Sequence, residues 1–531
     1  MPHARKVGLA TALTAAFLLG GFINPDTDQN AGPELFRDVL TLVSTRYVDS
    51  LDISEVYERA AVGLVDRLED PYADLFSPEE IEEFTVAYEG HYAGVGMLIE
   101  AQQGAPVVRR VFPNTPAERT GVQMGDRIVA VGGESTEGWP LERVSGALKG
   151  EPGTEVEVVF LRYGVNRPID ARMTRAVVRI PAVPYAIHVG DDVGYIPLLQ
   201  FNETAAEEVT DAVRTLTDEG VAGLVLDLRG NGGGIVDQAV RIAGLFLPEG
   251  TSIARQWERG GDDTMYRDDR APIAPDVPLV VLIDGASASA SEIVAGALQD
   301  HDRAVVLGTT SFGKGLVQTA YRVEAGHVLK MTTGKWYTPS GRTIHRERVL
   351  QEGRLVEVDD SIHFAAGPDE RPAYRSDAGR TVYGGGGIMP DLNIRSDTLT
   401  ADEQELLAAL LAHSPEFSAA TFDMASELQG EVDRDFHVPS AWRAELYDRL
   451  TDKDVELDRE TWDAGSTYID RVLLDRVGRL AFGDGYVKTR DAQNDAQLMK
   501  AVEVILEGGP QQQGLFGYVE AANGDARDQE G

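Results

Sequence analysis

Residues 284–292 read Asp-Gly-Ala-Ser-Ala-Ser-Ala-Ser-Glu, and they follow directly on an apolar run over residues 277–283. That run has the length and composition of a strand buried on both faces, and a helical pattern begins at Ser289 and lasts to Gln299. Strand, polar turn and helix in this order make one unit of a layered α/β core. The alternation continues outward. Strands are expected over residues 193–198, 223–228 and 303–307, with a helix over residues 204–216. A serine at such a turn sits at the positive end of a helix, where unsatisfied backbone N–H groups point outward and can stabilise the oxyanion of acyl transfer. Taken alone, small residues here serve equally well as helix caps.

Further along, Ser311-Phe312-Gly313-Lys314-Gly315-Leu316-Val317-Gln318 places a lysine between two glycines at the entrance of an alternating strand. Residues 317–323 alternate, turn at Ala325-Gly326 and return over residues 328–332, the pattern of a hairpin. Gln318 lies four positions beyond Lys314, so both side chains share one face of the strand and the amide can orient the amine. An exposed lysine at a strand start is the plainer reading. A phosphate loop is excluded, because the four-residue gap between glycines followed by Gly-Lys-Ser/Thr is missing.

The two segments together resemble the catalytic motifs of the carboxyl-terminal processing peptidases, or tail-specific proteases. The similarity covers roughly residues 33–394 and includes Asp227-Leu228-Arg229-Gly230-Asn231-Gly232-Gly233-Gly234, with Gly232 standing where many members have proline. The resemblance implies a crotonase-like α/β core and a serine endopeptidase mechanism. Ser289 is then the nucleophile, Lys314 the general base and Gln318 the residue that orients it. Backbone N–H groups of Ala290 and of Gly232 or Gly233 are expected to form the oxyanion hole. Lys314 must be neutral to act, so a dry, assembled site is expected to depress its pKa. A Ser-His-Asp arrangement is the natural rival, but His301 lies ten residues beyond Ser291 and a surface or core role is preferred for each of the nine histidines.

Residues 91–178 form a small mixed module, with strands expected over residues 97–99, 107–111, 128–131 and 156–162 and helices over residues 116–119 and 141–148. The module resembles a PDZ domain. Tyr92-Ala93-Gly94-Val95-Gly96-Met97 falls at that family's carboxylate-binding loop, and Gly121-Val122-Gln123-Met124-Gly125-Asp126-Arg127-Ile128 is the best-matching stretch. Gly94, Val95, Gly96 and Met97 are thereby candidate ligands of a peptide C-terminus, which would add a strand to the sheet edge. The plainer reading of these glycines is a tight turn.

The whole chain is thus expected to be a multidomain α/β protein: a helical, dimerising region over residues 33–90, the PDZ module over 91–178, a protease core over 179–400, a helical extension over 401–510 and a polar, disordered tail over 511–531. At the start, His3, Arg5 and Lys6 precede an apolar run over residues 7–23, which reads as a signal peptide or retained anchor over residues 1–24 and places the protein in the cell envelope, periplasmic or otherwise extracytoplasmic. The formal net charge of −38 repels phosphate backbones, so nucleic acid is excluded as a partner. The absence of cysteine removes disulfides, thiolate metal sites and a cysteine nucleophile. No cofactor or metal is implied. Expected partners are proteins or peptides with free C-termini, further copies of the chain, and an adaptor at the C-terminal helices. A silent PDZ scaffold and a small-ligand carrier are the other classes; neither needs Ser289, Lys314 and Gln318 together.

Overall fold

The computed structural model describes residues 31–530 apart from residues 79, 82–89, 103–104, 163–164, 166, 191, 262, 352–353, 358–370, 396–398 and 454. Two compact units are present, one ending at Leu75 and the other running from Phe76. The first contains helices α1 (Ala31–Arg46) and α2 (Ile53–Asp66). Asp52 starts α2 by accepting the Ser54 N–H at 2.8 Å. Leu35, Leu42 and Leu64 on these helices stay exposed. The apolar run over residues 7–23 lies outside the described residues, as do residues 82–89 at the end of the helical region expected over 33–90. Among the described residues no helix is long and apolar enough to cross a membrane.

The second unit begins with the small module. Strand β1 (His91–Gly94) is followed by β2 (Met97–Gln102), β3 (Ala105–Val111), helix α3 (Pro116–Arg119), β4 (Arg127–Val131), β5 (Glu134–Ser135), helix α4 (Leu141–Leu148), β6 (Glu155–Leu161), β7 (Ile169–Thr174) and β8 (Ala176–Arg179). Strand β1 pairs antiparallel with β8, His91 opposite Arg179, which brings the module's two ends together. The main sheet runs β2-β3-β4-β6-β7, so β2 is an edge strand. Alternation in β6 sends Val156, Val158 and Phe160 into a core shared with Val108, Ile128 and Met173.

The central sheet comprises β9 (Ile187–Val189), β10 (Val193–Pro197), β11 (Gly223–Asp227), β14 (Leu279–Ile283), β15 (Val305–Gly308) and β18 (Leu392–Asn393), in that spatial order. Apart from the antiparallel β9–β10 edge the strands are parallel, with Leu224 beside Leu279 and Val280 beside Val305. Helices α5 (Ala205–Asp218), α6 (Val236–Gly244) and α7 (Ala290–Asp300) cover one face. Leu226, Val281, Ile283 and Val306 point into that layer. Between these elements, β12 (Ser252–Glu258) and β13 (Thr264–Arg267) pair with each other, and β12 pairs with β17 (Val328–Tyr337), the return strand of the hairpin begun by β16 (Leu316–Arg322).

The remaining helices are α8 (Ala401–Leu411), α9 (Ser414–Leu428), α10 (Ser440–Thr451), α11 (Arg459–Ala464), α12 (Ser466–Phe482), α13 (Asp484–Asn494), α14 (Ala496–Gly508) and α15 (Gln512–Glu530). Helices α8 to α12 pack on one another around Leu406, Leu446, Trp462 and Leu473. Helices α14 and α15 behave differently. Val502, Ile505, Leu515 and Phe516 join Val225, Val280, Leu282 and Val305 in one apolar cluster, so these two helices form the second cover of the central sheet. This corrects the expectation of a disordered tail after residue 511. Leu515, Phe516 and Val519 are buried at helical spacing within a polar stretch. A parallel sheet needs both faces covered, and the second cover comes from the end of the chain.

Candidate active site

Ser289 is the last residue before α7 and stands at φ 55°, ψ −111°, a backbone conformation that residues with a Cβ seldom adopt. What holds it there is Glu292, one turn into the helix. Its Oε2 accepts the Ser289 N–H at 2.9 Å, the return bond of a capping box. The same Oε2 accepts the Lys314 N–H at 2.9 Å, while Oε1 accepts the Gly313 N–H at 2.7 Å and the Ser311 hydroxyl at 2.5 Å. One fully buried carboxylate thereby fastens the serine turn to the lysine loop. Burial pushes the Glu292 carboxyl up, against the downward pull of its four donors. Sequence reading passed over Glu292, although Ser289-x-x-Glu292 is the capping-box spacing and was legible.

The amine of Lys314 donates to Gln318 Oε1 at 2.8 Å, the pairing anticipated from their spacing. The carbonyl of Lys314 accepts the indole N–H of Trp336 at 3.0 Å, so the lysine is held from both ends. Ser289, Lys314, Gln318, Gly232 and Gly233 all line one cavity of about 820 Å³, whose apolar wall includes Phe201, Val236, Ile293 and Trp336. The glycine turn after β11 meets the serine turn at close range. A Cβ on Gly233, at φ 100°, would fall 2.9 Å from the Ser289 Cβ and 3.0 Å from the Ala290 nitrogen, so only glycine permits this approach. The Gly233 N–H itself donates to Asn231 Oδ1 at 2.9 Å, and its carbonyl accepts the Phe201 N–H. Gly232, by contrast, has room for a side chain.

The glycine turn is laced to its surroundings. The Ser287 hydroxyl donates to the Leu228 carbonyl and the Ser291 hydroxyl to the Asn231 carbonyl, each at 2.8 Å, while the Ala288 N–H also donates to the Asn231 carbonyl. Of the three serines in the run, Ser287 and Ser291 are thus buried ties between turns, and Ser289 is the one that faces the cavity. His301 is remote from this chemistry in its bonding: its ring nitrogens face Asp377 and the Ser252 carbonyl, each at 2.7 Å.

A second cavity, of about 670 Å³, lies in the small module between the edge strand β2 and helix α4. Val95 and Met97 line it together with Ile99, Leu141 and Leu148. Gly94 and Gly96 shape its loop from behind. At Gly96, with φ 88°, a Cβ would come within 2.2 Å of Thr115. Tyr92 also lines this cavity. Burial raises its phenol, against a smaller downward influence of the neighbouring Gly96 and Met97 N–H groups.

Comparison with known proteins gives the class. The sequence pattern of peptidase family S41 matches residues 192–352, and that of the PDZ domain matches residues 107–162. The carboxy-terminal-processing protease of Bartonella bacilliformis is 34% identical over 329 residues, 61% of this chain and 75% of that protein. The carboxy-terminal processing protease CtpA of Bacillus subtilis is 31% identical over 308 residues, 58% of this chain and 65% of that protein. Among solved structures, a photosystem II D1 C-terminal processing protease aligns at 30% identity and a TM-score of 0.35, over 61% of this chain and 85% of that one. Fold and matches define a protease that carries a PDZ domain. The chain belongs to the carboxy-terminal processing proteases of peptidase family S41.

Proposed function

We propose that the chain is a serine endopeptidase working through a Ser289–Lys314 dyad on proteins whose free C-termini are captured by the PDZ module. The observation that carries this reading is the shared cavity in which Ser289, the glycine turn and a Gln318-held Lys314 meet. Ser289 Oγ attacks the scissile carbonyl carbon and passes its proton to Lys314 Nζ. The tetrahedral oxyanion is met by the Ala290 N–H and the Gly232 N–H. Gly233 is the weaker of the two glycine candidates, since its N–H already serves Asn231. Collapse breaks the C–N bond as Lys314 returns the proton to the leaving amine. Water, deprotonated by the same amine, then attacks the acyl-enzyme and releases the new C-terminus. Gln318 keeps the amine aimed at Ser289 throughout.

Substrate selection is assigned to the second cavity. An extended C-terminal segment adds to the open edge of β2, with its last side chain among Val95, Met97 and Leu148 and its carboxylate at the Gly94-Val95-Gly96-Met97 loop. The functional parts are then the PDZ module over residues 91–178 and the protease core from residue 179 to 400, with α14 and α15 added to that core. Placement in the cell envelope rests on the basic and apolar start of the sequence. Self-association through the exposed apolar residues of α1 and α2, and an adaptor on α8 to α13, complete the reading. Mixing the purified chain with an unfolded protein ending in apolar residues and following its cleavage tests the activity. Adding a peptide with an amidated rather than free C-terminus as competitor tests the capture: only the free carboxylate should compete.

A further inference from the structure

Asp227 ends β11, and Arg229 stands two residues later, immediately before the glycine turn. The Arg229 side chain does not line the Ser289 cavity; it is gripped by the C-terminal part of the chain. Its Nη2 donates to Asp227 Oδ2 and to Asp495 Oδ2, both at 2.7 Å, and its Nη1 donates to Asp495 Oδ1 at 3.0 Å and to Gln497 Oε1 at 2.8 Å. Asp495 also caps α14, accepting the Leu498 N–H at 3.0 Å, and Gln497 donates to the Ile394 carbonyl just after β18. The Asp227 carboxylate is further held by the Tyr195 hydroxyl at 2.8 Å. Charge-assisted, bidentate bonds of this kind fix geometry more firmly than neutral ones. In this arrangement the start of α14 holds the residue that leads into the glycine turn, Arg229, and Gly232 follows three residues on.

We propose that Asp495 is a positioning residue for the peptidase reaction, acting through Arg229 to set the glycine turn at the height the oxyanion requires. The inference rests on the Ser289 reading above and extends it to a segment far outside the matched family region. The consequence is that the C-terminal helices are part of the catalytic apparatus as well as part of the core. Asp495 has a carboxyl that burial pushes up but that its bonds to Arg229 bring below the ordinary carboxylate range, in keeping with a permanently charged partner.

The test separates helix capping from pairing. Asp495→Ser keeps an acceptor for the Leu498 N–H and removes the carboxylate from Arg229. On a reporter protein with an apolar C-terminus, kcat is expected to fall about tenfold or more, with KM within about twofold, in line with a disturbed oxyanion donor. A short peptide boronic acid forms a tetrahedral adduct on Ser289 whose hydroxyl sits in the oxyanion position. Its affinity should fall by the same factor as kcat, while affinity of a plain C-terminal peptide for the PDZ cavity is unchanged. An unchanged kcat overturns the proposal. So does a kcat that falls only in step with the fraction of titratable sites, with boronate affinity intact, because that is loss of folded enzyme. Ser289→Ala is measured alongside: cleavage retained there overturns the nucleophile assignment itself, whereas cleavage lost there with Asp495→Ser fully active overturns the positioning role alone.

Discussion

Ser289 and Lys314, 25 residues apart in sequence, hang their backbone N–H groups on the same Glu292 oxygen, each at 2.9 Å. The proposed dyad is therefore fixed through its main chain by the Glu292 side chain, before the Ser289 and Lys314 side chains contribute. Glu292→Gln keeps the shape but turns one acceptor oxygen into a donor, so at least one of the four inward-pointing donors loses its partner. The expected result is a kcat at least tenfold lower and a stability loss of about 1–3 kcal/mol, read by denaturant unfolding. Glu292→Asp, which is too short to reach both loops, should not restore activity.

The direction of the Glu292 shift also predicts a pH effect. A carboxyl raised by burial binds its proton more tightly in the folded state, so folding stability from this group declines as pH rises from the ordinary carboxylate value, near 4.3, through the folded one. Glu292→Gln has no such term. Its stability deficit relative to the wild type should be largest near pH 4 and shrink toward neutrality; a deficit that grows with pH contradicts this.

Tyr92 supplies a prediction about substrate capture. Its phenol lines the PDZ cavity and is influenced by the neighbouring Gly96 and Met97 N–H groups, part of the loop that a C-terminal carboxylate is proposed to use. Tyr92→Phe removes the hydroxyl that competes with a carboxylate for these N–H groups and keeps the ring. Affinity for a free-carboxylate peptide should rise, by up to roughly tenfold, once that competing polar group is gone. Isothermal titration with the Ser289→Ala protein measures it without turnover.

Leu515 tests the role of the chain's end. It is fully buried against the second face of the central sheet, so Leu515→Ala should cost about 2–5 kcal/mol. A change near zero would restore the tail to the solvent-exposed segment that its composition suggests.

That case shows where sequence reading succeeds and where it stops. Residues 279–283 and 223–227 could be recognised as buried strands because apolar runs of that length, followed by small polar turns, have few other uses. Ser289 and Lys314 stand out through the resemblance of their two segments to the carboxyl-terminal processing peptidases, and only the pairing of Gln318 with Lys314 follows from spacing. Glu292 left a local trace as well, but its contacts with Gly313 and Lys314 join segments more than 20 residues apart and appear only once the turn is folded. Asp495 left none. Its partner Arg229 is 266 residues away, and nothing in a single acidic residue before a helix distinguishes a cap from a clamp. Helix α15 escapes sequence reading for a related reason: a short apolar cluster around Leu515, Phe516 and Val519 in a polar stretch is too little to announce a helix without the sheet it covers.

The most direct test of the central claim is cleavage of an unfolded protein with an apolar C-terminus by the wild type, Ser289→Ala and Lys314→Ala, each shown to be folded. Cutting by the wild type and inert variants are the expected result. A Lys314→Ala protein that cuts at a rate near the wild type would contradict the dyad, and with it the role assigned to the cavity.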